Sequence, residues 1–119
     1  DLVLLDLPLG MAPVIPCRRL LVVNADANCH VRLHRHPWAA DERLLVTQFS
    51  SQRALQQGLL DLWLAGGLPL LNLHLHRDEA MAEAMAAKLP VGRYAPTSLV
   101  AHELAALATW CLAEGEAPR

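Results

Sequence analysis

Short apolar runs alternate along the chain with longer segments in which apolar residues recur at helical spacing. The apolar runs predict four strands, at residues 1–7, 20–24, 44–48 and 70–75. The first three runs contain several consecutive apolar residues, which is typical of strands that helices cover on both faces. Strands separated by helices imply right-handed βαβ units. We therefore predict an α/β fold with a mostly parallel sheet flanked by helices.

The intervening segments predict four helices, at residues 26–36, 52–65, 78–88 and 99–113. Pro37 closes the first helix, Ser51 caps the second, and Thr97 or Ser98 caps the last. Acidic residues in the first turn of the third helix suit the positive end of its dipole. The faces predicted to pack inward carry Leu55, Leu59, Leu62 and Trp63 in the second helix, and Leu99, Leu104, Leu107, Trp110 and Cys111 in the last.

The first apolar run has the character of a central strand, and such a strand rarely begins a fold. We therefore expect the chain to be the later part of a longer protein. The connection from Gly10 to Leu20 contains Pro13 and Pro16 and leaves room for only a turn or two. A parallel crossover usually needs about a dozen residues or more.

Composition excludes several classes of protein. The chain has 119 residues, 54% of them hydrophobic, which is enough for one domain with a core and excludes an intrinsically disordered segment. Ten basic and twelve acidic residues give a net charge of −2, so direct nucleic-acid binding is not expected. Three scattered cysteines favour a reduced cytoplasmic compartment. The apolar runs are too short to predict a membrane span.

The run that ends in Asp6 carries the first candidate chemistry, because ligands of open parallel sheets bind at the carboxyl ends of the strands. An aspartate there can hold a water on Mg²⁺, and Gly10 lets backbone N–H groups approach a phosphate. The alternative is a capping or turn aspartate. A phosphate cradle would also need a Gly-rich loop ending in Gly-Lys-Ser/Thr. The single lysine, Lys88, precedes Leu-Pro and cannot belong to one.

Polar residues also follow the other predicted strands. The segment NADANCHVRLH at residues 24–34 contains Asn28 and His30, and predicts either an Asx turn with a helix cap or a ligand or partner surface. Thr47 and Gln48 end the third strand, and Arg77 and Asp78 follow the fourth. A zinc site is disfavoured because no CxxC or HExxH pattern accompanies the six histidines. A serine hydrolase is disfavoured because the chain has no GxSxG sequence.

Several of these stretches together resemble a known family. They are DLPLG at 6–10, VNADANCHVRLH at 23–34, LWL at 62–64, HRDEAMAEAMAAKLPVGRY at 76–94 and LATWCL at 107–112. Over essentially the whole chain the sequence resembles the second half of the BcsQ (YhjQ) family of bacterial cellulose biosynthesis proteins. That family belongs to the MinD/ParA group of P-loop ATPases. The resemblance implies the C-terminal part of one such ATPase domain, with the Walker A loop lying upstream of these residues.

The resemblance assigns roles to individual residues. Asp6 would be the Walker B aspartate that orders Mg²⁺ through water, and Gly10 the switch glycine near the γ-phosphate. Thr47 and Gln48 fall where relatives place adenine-contacting residues, often Asn. Arg77 and Asp78 fall on the loop that closes over the base, so the full-length protein is expected to use ATP and Mg²⁺. Because this chain lacks the Walker A loop, it is expected to be inactive alone.

The resemblance also implies partners and location. ATP is expected to drive homodimerisation, with Asn28 and His30 near the dimer or partner face. Proteins similar to BcsR and BcsE are the expected partners in assembling or positioning cellulose synthase. The expected location is the cytoplasm, with recruitment through partners to the inner membrane or the cell pole. Two alternatives stay open: a positioning ATPase of the MinD or flagellar-number type, and an inactive α/β scaffold that binds partners.

Overall fold

The fold is three βα units with a helical C-terminal layer. A computed structural model describes residues 1–8 and 10–115. The elements are β1 (Arg19–Asn24), α1 (Ala27–Arg35), β2 (Glu42–Phe49), α2 (Ala54–Ala65), β3 (Leu70–His76), α3 (Glu79–Ala86), α4 (Val91–Tyr94) and α5 (Leu99–Gly115). The strands form one sheet in the order β1-β2-β3, and both pairings are parallel. The predicted α/β class and parallel sheet are confirmed.

Helices cover both faces of the sheet. On one face, Leu44, Val46 and Phe49 of β2 form a cluster with Leu33 of α1 and with α2. On the other, Leu45 of β2 joins residues of β3 and packs against α5. The α5 side chains in that contact are Leu104, Leu107 and Trp110. The consecutive apolar residues of β2 are therefore buried in two separate cores, as the sequence pattern predicts.

Two aspartates and a glycine set the helix ends. Asp26 and Asp78 are the N-caps of α1 and α3, and their side chains accept hydrogen bonds from the backbone N–H groups of Cys29 and Ala80. Gly67, just beyond α2, has a φ of +76°, a conformation that L side chains rarely adopt. The predicted stop of α2 is confirmed. Ser98 Oγ accepts from Ala101 N–H at 3.3 Å, so Ser98 rather than Thr97 caps α5.

The prediction for the start and inward face of α2 was partly wrong. The helix begins at Ala54 after Arg53, and Ser51 does not cap it. Its buried residues are Leu59, Leu60 and Trp63, whereas Leu55 and Leu62 are exposed. With 3.6 residues per turn, the three buried side chains share one narrow stripe, and the two exposed leucines lie to one side of it. Leu99, in the first turn of α5, is also exposed instead of facing the sheet.

The predicted strand at residues 1–7 is wrong in this structure. Residues 1–8 have no regular secondary structure, and Val3 and Leu4 are 77% and 79% exposed. A strand that is apolar on both faces is stable only where other elements cover both faces, and no described element covers Val3 or Leu4. Contrary to the prediction, Asp6 therefore does not end a strand of the sheet. The following connection, residues 11–18, contains no helix, in agreement with its short length.

An ionic cluster around the buried Glu42 ties the amino ends of β1 and β2 to the end of α1. Glu42 is 3% exposed, and it accepts from Arg19 at 3.2 Å and contacts His36 Nε2 at 2.6 Å. Arg19 is also the register partner of Glu42 in the parallel ladder. A buried carboxylate without its cationic partners would be strongly destabilising, so this cluster fixes the start of the ladder.

We predict that Arg19→Met lowers the free energy of unfolding by about 2–4 kcal/mol, because it leaves Glu42 buried with one partner fewer. Urea denaturation followed by circular dichroism measures this. Arg35→Met, which removes an exposed arginine at the end of α1, is the matched control and should stay within about 0.5 kcal/mol of wild type. Equal effects of the two substitutions would contradict a structural role for the cluster.

Candidate functional site

The parallel pairing places the carboxyl ends of all three strands along one edge of the sheet. Asn24 and Thr47 are register partners, and the Thr47 hydroxyl donates to Asn24 Oδ1 at 3.1 Å. The same hydroxyl lies 3.4 Å from the Val23 carbonyl oxygen. The ends of β1 and β2 thus carry an amide and a hydroxyl that are hydrogen-bonded to each other. Both are polar groups that can also form hydrogen bonds with a ligand. We call this the carboxyl edge, comprising Asn24, Thr47, Gln48, His76 and Arg77.

A bulge shapes the carboxyl edge between β2 and β3. Val46 pairs with His74 and Phe49 with His76, so three steps on β2 oppose two on β3. Within the bulge Gln48 has a φ of +52° and is exposed, while Phe49 is buried. Positive φ is uncommon for residues other than glycine, and such bulges re-aim side chains beside functional sites. The bulge turns Phe49 into the core and leaves Gln48 facing solvent.

A carboxylate from α5 holds the end of β3. Glu103 Oε2 accepts from the backbone N–H of His76 at 2.8 Å, and its other oxygen pairs with His76 Nδ1. Phe49 contacts the same ring edge-on at 5.4 Å between centroids. One residue later, Arg77 N–H donates to the Phe49 carbonyl at 2.9 Å. The end of β3 is therefore fixed by both the sheet and α5.

His74 lies behind this edge with an unsatisfied nitrogen. Its Nδ1 is buried and has no hydrogen-bond partner among the described residues, and its ring lies 5.5 Å from that of Phe49. Burial first, and then the neighbouring His76 ring, lower the pKa of His74 below its usual value of 6.5. His74 is therefore neutral at pH 7, and protonation would place a charge in a poorly solvated position.

The two residues expected on the loop over the base have different environments. Arg77 is exposed and carries its guanidinium at the surface of the carboxyl edge. Asp78 caps α3 and also accepts from Val100 N–H at 3.3 Å. Its carboxylate therefore joins the starts of α3 and α5. Asp78 therefore has a structural role, whereas the exposed Arg77 side chain can contact a ligand.

Helix α1 begins beside the carboxyl edge and presents Asn28 to solvent. His30 is half-buried, and its Nδ1 accepts a hydrogen bond from the Trp63 indole N–H at 3.0 Å. The neutral His30 ring therefore carries its proton on Nε2, which removes the lone pair that a metal ion would need. Burial raises the pKa of the Cys29 thiol, so this cysteine is protonated at neutral pH. A metal site or a Cys–His nucleophile here is unsupported.

Asp6 and Gly10 lie apart from the sheet. Asp6 is exposed in the irregular segment, while Gly10 has a φ of +78° beside a turn in which Met11 N–H donates to the Pro8 carbonyl. Only glycine adopts that conformation without strain, so the sequence at Gly10 suits the turn. Within residues 1–8 and 10–115, no group of three His, Cys, Asp or Glu side chains could hold a metal ion.

Sequence reasoning missed the contributions of Glu103 and of the ionic cluster at Glu42. Glu103 is separated from His76 by α3 and α4, and Glu42 from Arg19 by α1, so local periodicity gives no direct indication of either contact. For Glu103 the available signal was the presence of His74 and His76 in β3, a strand whose other residues are four leucines and Asn72. Polar residues at such positions need partners, and those partners come from the helix that covers the strand.

Sequence comparison with known proteins shows the family to which the chain belongs. The family described as "Cellulose biosynthesis protein BcsQ" matches residues 1–112. The cellulose biosynthesis protein BcsQ of Salmonella typhimurium is 43% identical over 116 residues, covering 92% of this chain and 46% of that protein. A putative cellulose biosynthesis protein BcsQ of Escherichia coli K12 is 45% identical over 93 residues, covering 78% of this chain and 38% of that protein.

The fold and its edge define an α/β protein with a parallel sheet whose polar strand ends gather on one side. The extent of the match then identifies the family: the chain belongs to the BcsQ family. It spans less than half the length of the curated relatives it matches. In the part of the chain that the structure describes, no helix is both long and apolar enough to cross a membrane.

We predict that acid weakens the fold through His74. Because its folded pKa is lowered, the unfolded state binds more protons, and stability falls as the pH drops from about 6.5. His74→Gln should reduce the slope of unfolding free energy against pH between 7.5 and 5. His102→Gln, which changes an exposed histidine on α5, is the control and should leave the slope unchanged. An unaltered slope in the His74 variant would show that His74 is not the sensitive group.

Proposed function

We propose that this chain supplies the base-binding edge of an ATPase that dimerises when it binds nucleotide and that acts in bacterial cellulose biosynthesis. The observation that carries the proposal is the family match over residues 1–112, which includes all three strands and the whole carboxyl edge. Relatives that the chain matches are named as cellulose biosynthesis proteins. The resemblance of the family to MinD/ParA ATPases adds ATP and Mg²⁺ as the expected ligands.

The carboxyl edge suits the base of a nucleotide better than its phosphates. Thr47, Asn24 and the exposed Gln48 offer hydroxyl and amide groups, which recognise a base by hydrogen bonds. This sequence contains no Gly-rich loop ending in Gly-Lys-Ser/Thr, so no phosphate cradle is present among its residues. The resemblance assigns Mg²⁺ to Asp6, an exposed carboxylate of the irregular segment at residues 1–8, and Mg²⁺ takes most of its other ligands from phosphate and water. When bound, Mg²⁺ would neutralise phosphate charge.

Dimerisation across the carboxyl edge is the second part of the proposal. Asn28 is exposed on the first turn of α1 and Arg77 is exposed at the end of β3. Both belong to segments that directly follow strands, so a partner facing the carboxyl edge would meet them. His30 contributes less to such a face, because its Nδ1 already accepts from Trp63. A homodimer would recruit BcsR- and BcsE-like proteins to assemble or position cellulose synthase at the inner membrane from the cytoplasm.

A second candidate function is that of an inactive α/β scaffold that only binds partners. Two polar residues after β3 have structural contacts that a scaffold would use equally well: Asp78 caps α3 and accepts from Val100 N–H, and His76 pairs with Glu103. The two functions differ in their response to nucleotide: a scaffold associates with partners equally well with and without ATP. The test therefore requires the natural-length protein that contains this sequence.

We expect the natural-length protein to sediment as a dimer with ATP and Mg²⁺ and as a monomer without them. Asn28→Ala and Arg77→Ala should each weaken the dimer by about 5- to 30-fold, since each removes polar contacts worth about 1–2 kcal/mol. Analytical ultracentrifugation over a concentration series measures the change. Arg35→Ala, at the far end of α1, is the control and should dimerise like wild type.

A sedimentation profile that does not respond to ATP would favour the scaffold. If the protein dimerises with ATP but both variants dimerise normally, the polar strand ends are ordinary turns and the dimer face lies elsewhere.

Asp6→Ala in the natural-length protein should abolish ATP hydrolysis, because Mg²⁺ would lose its protein carboxylate. Unchanged turnover would remove Asp6 from the catalytic residues.

A further inference from the structure

The His76 side chain at the carboxyl edge has a polar contact and a ring contact that hold its imidazole in one orientation. A single carboxylate, Glu103, binds both the backbone N–H and the ring Nδ1 of this residue. Phe49 contacts the ring from the side. The His76 side chain nevertheless stays one-third exposed, at 33%. A ring that only linked α5 to β3 would not need to reach solvent.

The two-point contact fixes which nitrogen carries the proton. An ionised carboxylate can only accept hydrogen bonds, so His76 Nδ1 must donate to Glu103. In the neutral ring this leaves Nε2 with a free lone pair, which makes it a hydrogen-bond acceptor. Carboxylates behind histidines set the tautomer and the orientation of the ring in the same way at metal sites. In its neutral form, His76 therefore gives the carboxyl edge an oriented acceptor.

His76 lies at one end of the row of strand ends, on β3. Neighbouring strands lie about 4.8 Å apart, so the three strand ends span roughly 10 Å from Asn24 through Thr47 to His76. A nucleotide is an elongated ligand with its base at one end. The exposed Arg77 follows His76 directly and can cover a flat ring by stacking or cation–π contact.

We propose that His76, oriented by Glu103, is the group that selects the base of the nucleotide by accepting a hydrogen bond from its exocyclic amine. This inference rests on the proposed nucleotide binding and goes beyond it by assigning base specificity to a histidine–glutamate pair. Adenine offers an amine at this position, whereas hypoxanthine, which is otherwise nearly the same shape, offers a carbonyl oxygen. The acceptor at Nε2 favours adenine, and a donor at the same atom would favour hypoxanthine.

The test compares binding of ATP with binding of inosine triphosphate to the natural-length protein, by competition against a fluorescent ATP analogue with Mg²⁺ present. Wild type should prefer ATP by about 2- to 10-fold, the usual value of one net hydrogen bond. In Glu103→Gln the amide oxygen can still accept from His76 N–H, while the amide NH₂ now donates to Nδ1. The ring proton then moves to Nε2, and the preference should reverse toward inosine triphosphate.

Two further variants complete the design. His76→Phe keeps a ring of similar shape without nitrogen, and its ATP preference should fall to about 1. Glu83→Gln removes an exposed carboxylate of α3 and should keep the wild-type preference. Circular dichroism shows whether each variant is folded. If Glu103→Gln does not fold, the comparison of His76→Phe with wild type still tests the proposal.

The outcomes separate the two proposals. Wild-type protein that binds neither nucleotide overturns the proposed function, and this inference with it. Wild type that binds both equally, or folded variants that keep the wild-type preference, overturns the role of His76 and leaves nucleotide binding standing. A reversed preference in Glu103→Gln is a result that a merely structural Glu103 would not produce, because loss of packing weakens both nucleotides alike.

Discussion

The central strand β2 organises the described fold, because it is hydrogen-bonded on both edges and buried on both faces. Leu44 and Val46 are fully buried on one face, and Leu45 is 2% exposed on the other. Parallel pairing of β1 and β3 with this strand has a consequence for function. Because the three strands run in the same direction, the polar segments that follow them all lie at a single edge of the sheet. The candidate site is thus a product of strand direction more than of any single motif.

Opposite ends of the same sheet serve opposite purposes. At the amino ends, Glu42 is buried between Arg19 and His36, and its charge is satisfied within the fold. At the carboxyl ends, Gln48 and Arg77 are exposed, and the His76 side chain is bound by Glu103 but remains partly exposed. Satisfied buried charges stabilise a unique arrangement, whereas oriented polar groups that still reach solvent are what a ligand can use.

Much of this fold follows from local pattern. The strands at β1, β2 and β3 and the helices capped by Asp26 and Asp78 are predictable, because apolar runs, caps and stops lie next to one another in sequence. The failure at residues 1–7 has the same origin. An apolar run indicates that a strand can be buried, but burial requires neighbours, and neighbours are not a property of the run itself.

The site could be predicted only in outline. Sequence reasoning identified the strand ends and residues such as Thr47 and Arg77, because polar residues there are visible one strand at a time. It did not identify Glu103, which reaches His76 from 27 residues away. It also did not predict the bulge at Gln48, because the bulge arises from the register in which β2 pairs with β3. Contacts between distant elements decide which polar residues are structural and which face a ligand.

Amide chemical-shift mapping of the isotopically labelled natural-length protein tests the central claim most directly, that the carboxyl edge binds nucleotide. On addition of ATP and Mg²⁺, we expect the largest shifts at Asn24, Thr47, His76 and Arg77, and small ones at the amino ends of the strands. Shifts concentrated at Arg19, Glu42 and Leu70, or the absence of any shift in this part of the chain, would contradict the account.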